Sequence, residues 1–199
     1  MKALSALLVA VAEREGVTRA EAFAGFANVS AAGLRRYQDE FPQVAGRWRP
    51  ESVVDFALAL GEVGREMEER PFDDLLGPFY MRFAGKGDKG EFYSPPGAAR
   101  FIGRWALGGY RQGDGTFRVY EPSCGSGVMF LAVARAMVEA DLELSRLYAE
   151  AWDVDRLACD LAYINLTTWS VPALVVCGDA LTGRAEAAWR TPHLREAAR

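Results

Sequence analysis

The segment Glu121-Pro122-Ser123-Cys124-Gly125-Ser126-Gly127 constrains this chain more than any other. Before it, Thr116 to Glu121 alternates as a half-buried strand does. After it, Ser126 to Ala140 is apolar along one helical face. A chain passing directly from strand to helix must turn tightly, and Gly125 and Gly127 supply the backbone freedom for that turn. They also let a ligand approach the backbone where the following helix presents unpaired N–H groups. The segment has no Lys-Ser/Thr pair after its glycines, so it is not a phosphate-binding loop of that type, and it lacks the G-x-G-x-x-G spacing.

The pattern then continues. Arg146 to Asp153 reads as a second strand, Asp155 to Trp169 as a second helix, and Ala173 to Cys177 as a short buried strand. Strands alternating with helices of this length predict βαβ units and a parallel sheet, with ligands at the carboxyl ends of the strands. The second strand ends in Ala151-Trp152-Asp153-Val154-Asp155. A carboxylate at Asp153 suits the two hydroxyls of a ribose, with Trp152 and Val154 as apolar neighbours. Asp155 is better placed to cap the next helix. The third strand ends in Gly178-Asp179-Ala180-Leu181, where Asp179 suits an adenine amino group and Leu181 the face of its ring. Three such ends on successive strands are where one adenosyl cofactor would be held.

Residues 1 to about 76 read as helical. Thr18 and Glu21 form a capping box, and Ser30 is placed to cap the next turn. Pro50, Glu51 and Ser52 open a long helix with Val53, Phe56, Leu60 and Val63 at helical spacing, which Pro71 ends. This divides the chain into a helical region, 1–76, and a cofactor-binding domain, 77–199. Residues 82–97 are rich in glycine, proline and charge and predict a loop. Residues 82–118 carry seven basic and three acidic side chains, a local charge that suits either phosphates or solvent.

The 199 residues carry a net charge of −4, which argues against a large autonomous nucleic-acid surface. Three cysteines, Cys124, Cys159 and Cys177, form no CxxC pair, so neither a zinc site nor a disulfide framework is expected. A reducing cytoplasm is the simplest setting. The apolar run Ala3 to Ala12 meets Glu13, Arg14 and Glu15 at once and reads as an amphipathic helix, not a signal peptide. No stretch reaches the roughly 20 apolar residues a membrane span needs.

Taken together, these motifs resemble the adenine-specific (N6) DNA methyltransferases, closest to the modification subunits of type I restriction systems. In that family a D-P-x-C-G-[ST]-G turn binds S-adenosylmethionine, and Glu121 to Gly127 matches it with Glu in the first place. A G-x-F-Y-T-P segment matches Gly90-Glu91-Phe92-Tyr93-Ser94-Pro95. Asp74-Leu75-Leu76-Gly77-Pro78-Phe79-Tyr80 resembles the D-x-L-G-x-x-Y/F stretch, and Asn165-Leu166 the helix-end A-x-x-N-L. The resemblance covers about residues 73–182. It implies a shortened Rossmann-like parallel sheet behind an N-terminal helical region, an α/β fold, with S-adenosylmethionine as cofactor. The implied cofactor residues are Phe92, Tyr93, Ser94 and Pro95, the turn Glu121, Pro122, Ser123, Cys124, Gly125 and Gly127, then Asp153 and Val154, and Asp179, Ala180 and Leu181. DNA and a partner subunit, in a homo- or hetero-oligomer, are the implied partners.

The family's catalytic Asn/Asp-Pro-Pro-Tyr/Phe motif, which holds the flipped adenine, is not found in this sequence. No catalytic residue is therefore assigned. The chain reads either as a minimal adenine-specific DNA methyltransferase, active alone or with a partner chain, or as a non-catalytic module that binds cofactor, interferes with restriction or pairs with another subunit. A decayed remnant without cofactor is a third reading. After Asp179 the tail predicts a closing helix with His193, the only histidine, exposed in it. Ala185, Ala188 and Trp189 are placed to cover the edge of the shortened sheet.

Overall fold

A computed structural model describes residues 2–35, 40–83, 94–111 and 114–194. Five helices come first: α1 (Lys2–Glu15), α2 (Arg19–Arg35), α3 (Glu40–Ala45), α4 (Pro50–Glu69) and α5 (Gly77–Phe83). The capping box forms as its spacing predicts. The Glu21 N–H donates to Thr18 Oγ1 at 3.1 Å, and the Thr18 N–H to Glu21 Oε2 at 2.8 Å. Ser30 caps nothing; α2 runs through it, and its hydroxyl is buried on the side facing the core. The apolar face of α2, with Ala27 and Ala31 between Phe23 and Phe26 on one side and Ala32 on the other, favours one long helix over a break there.

Phe23 stacks on Phe79 of α5, with ring centroids 5.9 Å apart, which seats α5 on α2. Residues 84–93, most of the predicted loop, lie outside the described residues. Its last two residues open a helix that the sequence reading missed, α6 (Pro96–Leu107). Proline at the start of α6 suits a helix, since its missing N–H would have had no partner there. Gly103 lets α6 lie directly on α7 (Val128–Glu139): a Cβ there would come within 2.7 Å of the Ala132 carbonyl.

The sheet contains β1 (Phe117–Glu121), β2 (Leu147–Asp153), β3 (Ala173–Asp179) and β4 (Arg184–Arg190), in that spatial order. The first three are parallel, joined by α7 and by α8 (Arg156–Thr168), as the alternating pattern predicts. Strand β2 alternates strictly, with Leu147, Ala149, Ala151 and Asp153 buried and Tyr148, Glu150 and Trp152 half-buried. One face of the sheet therefore packs on helices. The other, which includes the half-exposed Tyr120, is only partly covered by the described residues.

The tail corrects the sequence reading. It forms β4, antiparallel to β3, and not a helix. Gly183 at φ 70° and the Asp179 carboxylate, which accepts the Leu181 N–H at 2.9 Å, build the reversal. Trp189 is buried there, with the Arg35 guanidinium 3.8 Å and the Arg156 guanidinium 4.5 Å from its ring centroid. Tertiary packing overrides the helical preference of an alanine-rich segment. His193 is exposed, as expected, in the turn after β4. A single buried cluster runs from Leu4 of α1 to Trp189 of β4, so the helical region and the sheet share one core.

Candidate functional site

The site is built from the turn between β1 and α7. Gly125 and Gly127 both take positive φ, 54° and 86°, the left-handed region where glycine is unstrained. The Cys124 N–H donates to the Trp152 carbonyl at 2.8 Å, and the Gly127 N–H to the Cys124 carbonyl at 2.8 Å. The turn is thereby closed on itself and tied to the end of β2. Pro122 and Ser123 are exposed. Cys124 is buried, and burial pushes its thiol well above the usual range. Its contribution is backbone geometry, not a thiolate.

Asp153 is buried at the end of β2. Its Oδ2 accepts the Gly125 N–H and its Oδ1 the Asp155 N–H, each at 2.9 Å. This residue, which the sequence reading assigned to a ribose, ties the first strand end to the second. Desolvation raises its pKa, opposed by those N–H groups. Asp155 caps α8, accepting the Leu157 N–H at 3.0 Å, as its position predicts. Half-buried Glu121 is raised by desolvation, with the Ser123 N–H pulling the other way and the Asp153 charge adding to the rise.

Two apolar side chains stand out of the same strand ends. Val154 is 73% exposed and Leu181 96% exposed. Asp179 ends β3 beside Ala180, and the Leu181 N–H holds its carboxylate below the usual range. Ser94 and Pro95 precede α6, one helix removed from the turn, and Phe92 and Tyr93 lie outside the described residues. The structure thus brings together the residues of the first and second strand ends through hydrogen bonds, with the third on the adjacent strand.

Five residues with a structural part in this site were not among those assigned to it. Asp74, just before α5, is half-buried. Its Oδ1 accepts the Gly77 N–H at 2.8 Å, the Leu76 N–H at 3.2 Å and Asn165 Nδ2 at 3.0 Å, while Ser126 Oγ donates to its Oδ2. Asn165 Nδ2 also donates to the Ser126 carbonyl at 2.9 Å. Burial pushes the Asp74 carboxyl up to about 6 against these donors. Tyr80 Oη donates to Asp155 Oδ2 at 2.7 Å, a second tie from α5 to the strand ends. The signal for them was an amide and two carboxylates amid apolar runs, as in Ile164-Asn165-Leu166. Such groups are buried only when satisfied.

Three parallel strands with a left-handed glycine turn after the first, an acid ending the second and exposed apolar side chains past the second and third are the arrangement of the class I S-adenosylmethionine-dependent methyltransferase fold. Residues 73–182 match the family model described as N-6 DNA methylase, and the chain belongs to that family. The fold is similar to that of a solved structure from Listeria monocytogenes assigned to the class I S-adenosylmethionine-dependent methyltransferases. The TM-score is 0.53 at 14% identity, over 86% of this chain and 50% of that one. This chain thus spans about half the length of that protein. No curated protein matches it. S-adenosylmethionine is the cofactor of this family and fold, and the residues present fit it. The exposed Val154 and Leu181 offer apolar walls at strand ends whose polar groups are carboxylates and turn amides. Among the described residues no group of acids, cysteines and histidine is placed to hold a metal, and no helix is long and apolar enough to cross a membrane.

Proposed function

We propose that the chain binds S-adenosylmethionine for transfer of its methyl group to the N6 amino group of adenine in DNA, within a restriction-modification type system. The observation that carries this reading is the hydrogen-bonded junction of Gly125, Asp153 and Asp155 beside the exposed Val154. There Gly125 and Gly127 permit close approach of the methionine part, and Glu121 faces its ammonium group. Asp153 retains acceptor capacity for the ribose hydroxyls, Asp179 takes the adenine amino group, and Val154 and Leu181 flank the ring. The family resemblance assigns the segment Phe92, Tyr93, Ser94 and Pro95 to the methionine end. Residues 77–199 form the cofactor domain and residues 1–76 brace it.

In this reading a partner subunit supplies the group that holds the target base. The second reading is a module that binds cofactor without catalysis. Among the described residues β1 pairs on one side only, which suits either. Calorimetric titration with S-adenosylmethionine is expected to give micromolar binding that Asp153→Ala abolishes. Tritiated methyl transfer to unmethylated DNA, with and without cell extract, separates the two readings. Incorporation only with extract supports the partner; none under any condition leaves the non-catalytic module.

A further inference from the structure

We propose that Asp74 is a positioning residue for the cofactor turn, acting through Ser126 and Asn165 and not by touching the cofactor. This rests on the turn being the S-adenosylmethionine site. The geometry carries it. Ser126 sits between the two glycines and is wholly buried. Its hydroxyl donates to Asp74 Oδ2, and its carbonyl accepts Asn165 Nδ2 at 2.9 Å. The same amide group donates to Asp74 Oδ1 at 3.0 Å, so one carboxylate and one amide bracket this residue from side chain and backbone. On the other side the Gly125 N–H is held by Asp153. The turn is therefore clamped from both sides, and neither clamp depends on a bound ligand.

A carboxylate drawn partly out of water is costly unless its oxygens are filled. Here four donors fill them, and two of those donors belong to Ser126 and to Asn165, the residue that holds Ser126. An apolar side chain would pack in such a place at lower cost. The position is specified by its polar contacts, and those contacts converge on the turn. Tyr80, six residues on, adds the tie to Asp155 at the next strand end. The short α5 thus fixes two neighbouring strand ends relative to each other.

Asp74→Ala and Asp74→Asn are compared with Val63→Ala, a cavity variant in the core under α4 that destabilises the fold away from the site. Asparagine can accept the same N–H groups and donate to a reoriented Ser126 hydroxyl, so Asp74→Asn is the rescue. S-adenosylmethionine affinity is expected to fall about tenfold or more in Asp74→Ala, the effect of cutting buried hydrogen bonds, and to change less than about threefold in the other two. Amide exchange at Gly125, Ser126 and Gly127 is expected to accelerate about tenfold or more in Asp74→Ala relative to Val63→Ala, and in Asp74→Asn to stay near wild type. Turn amides that exchange no faster in Asp74→Ala than in Val63→Ala overturn the proposal, as does undiminished affinity. If the wild-type chain binds no cofactor, the reading of the site fails separately, and the exchange result alone decides whether Asp74 positions the turn.

Discussion

Asp74 is a carboxyl group whose surroundings oppose its charge, and the stability of the chain should record this. Its pKa is about 6 in the folded state against 3.8 for the free group. The folded state therefore holds the proton more tightly than the unfolded one. The stabilisation from this linkage is fully present below pH 3.8 and is lost as pH rises through about 6. A two-unit difference corresponds to about 3 kcal/mol. Denaturant titrations between pH 4 and 7 should show wild type losing stability relative to Asp74→Asn by an amount of that order. A pH-independent difference would contradict the assignment. Nearby, Asp73 is paired with Arg70 and with Arg135 of α7. At this scale the sequence was half legible. Glycines declare a turn, and an acid after an alternating strand declares its end. Asp74 lies 52 positions along the chain from Ser126 and 91 from Asn165, the polar residues with which it holds the turn from behind. No local pattern reports such pairings.

Whole elements were read well where periodicity was strong. Strands β1, β2 and β3 and helices α7 and α8 fall within about two residues of expectation. The two failures share a cause. Helix α6 begins at a pair of prolines that read as loop, and β4 is an alanine-rich strand that reads as helix; packing against a neighbour decides both. Glycine marks the contact in each case. At Gly103 a Cβ would press on the backbone of α7, and at Gly178 it would strike the backbone of β4 at Arg184. Gly103→Ala is expected to separate α6 from α7 at a cost of about 1–3 kcal/mol, read as a lowered midpoint in thermal unfolding. An unchanged midpoint would mean that the two helices are not in the contact described here.

At the scale of the molecule, the helical region and the sheet are joined by a buried ion pair. Arg35 of α2 bonds Asp160 of α8 at 2.5 Å, and Asn28 and Arg156 meet the same carboxylate at 3.1 and 3.2 Å. Arg35→Ala is expected to cost about 3–5 kcal/mol, because it leaves Asp160 short of a partner in the interior. With one continuous core, circular dichroism and tryptophan fluorescence should report a single coincident transition, in the variant as in wild type. Two separated transitions would show the regions unfolding independently. The three cysteines add a consequence of a different kind. All are buried in the sheet half, and burial raises each thiol above its usual range. A native chain should therefore ignore an alkylating reagent, and each opening of the sheet should expose groups that react irreversibly. The protein carries its own chemical clock: the labelled fraction, read by mass after a timed pulse, counts how often the cofactor half has come apart.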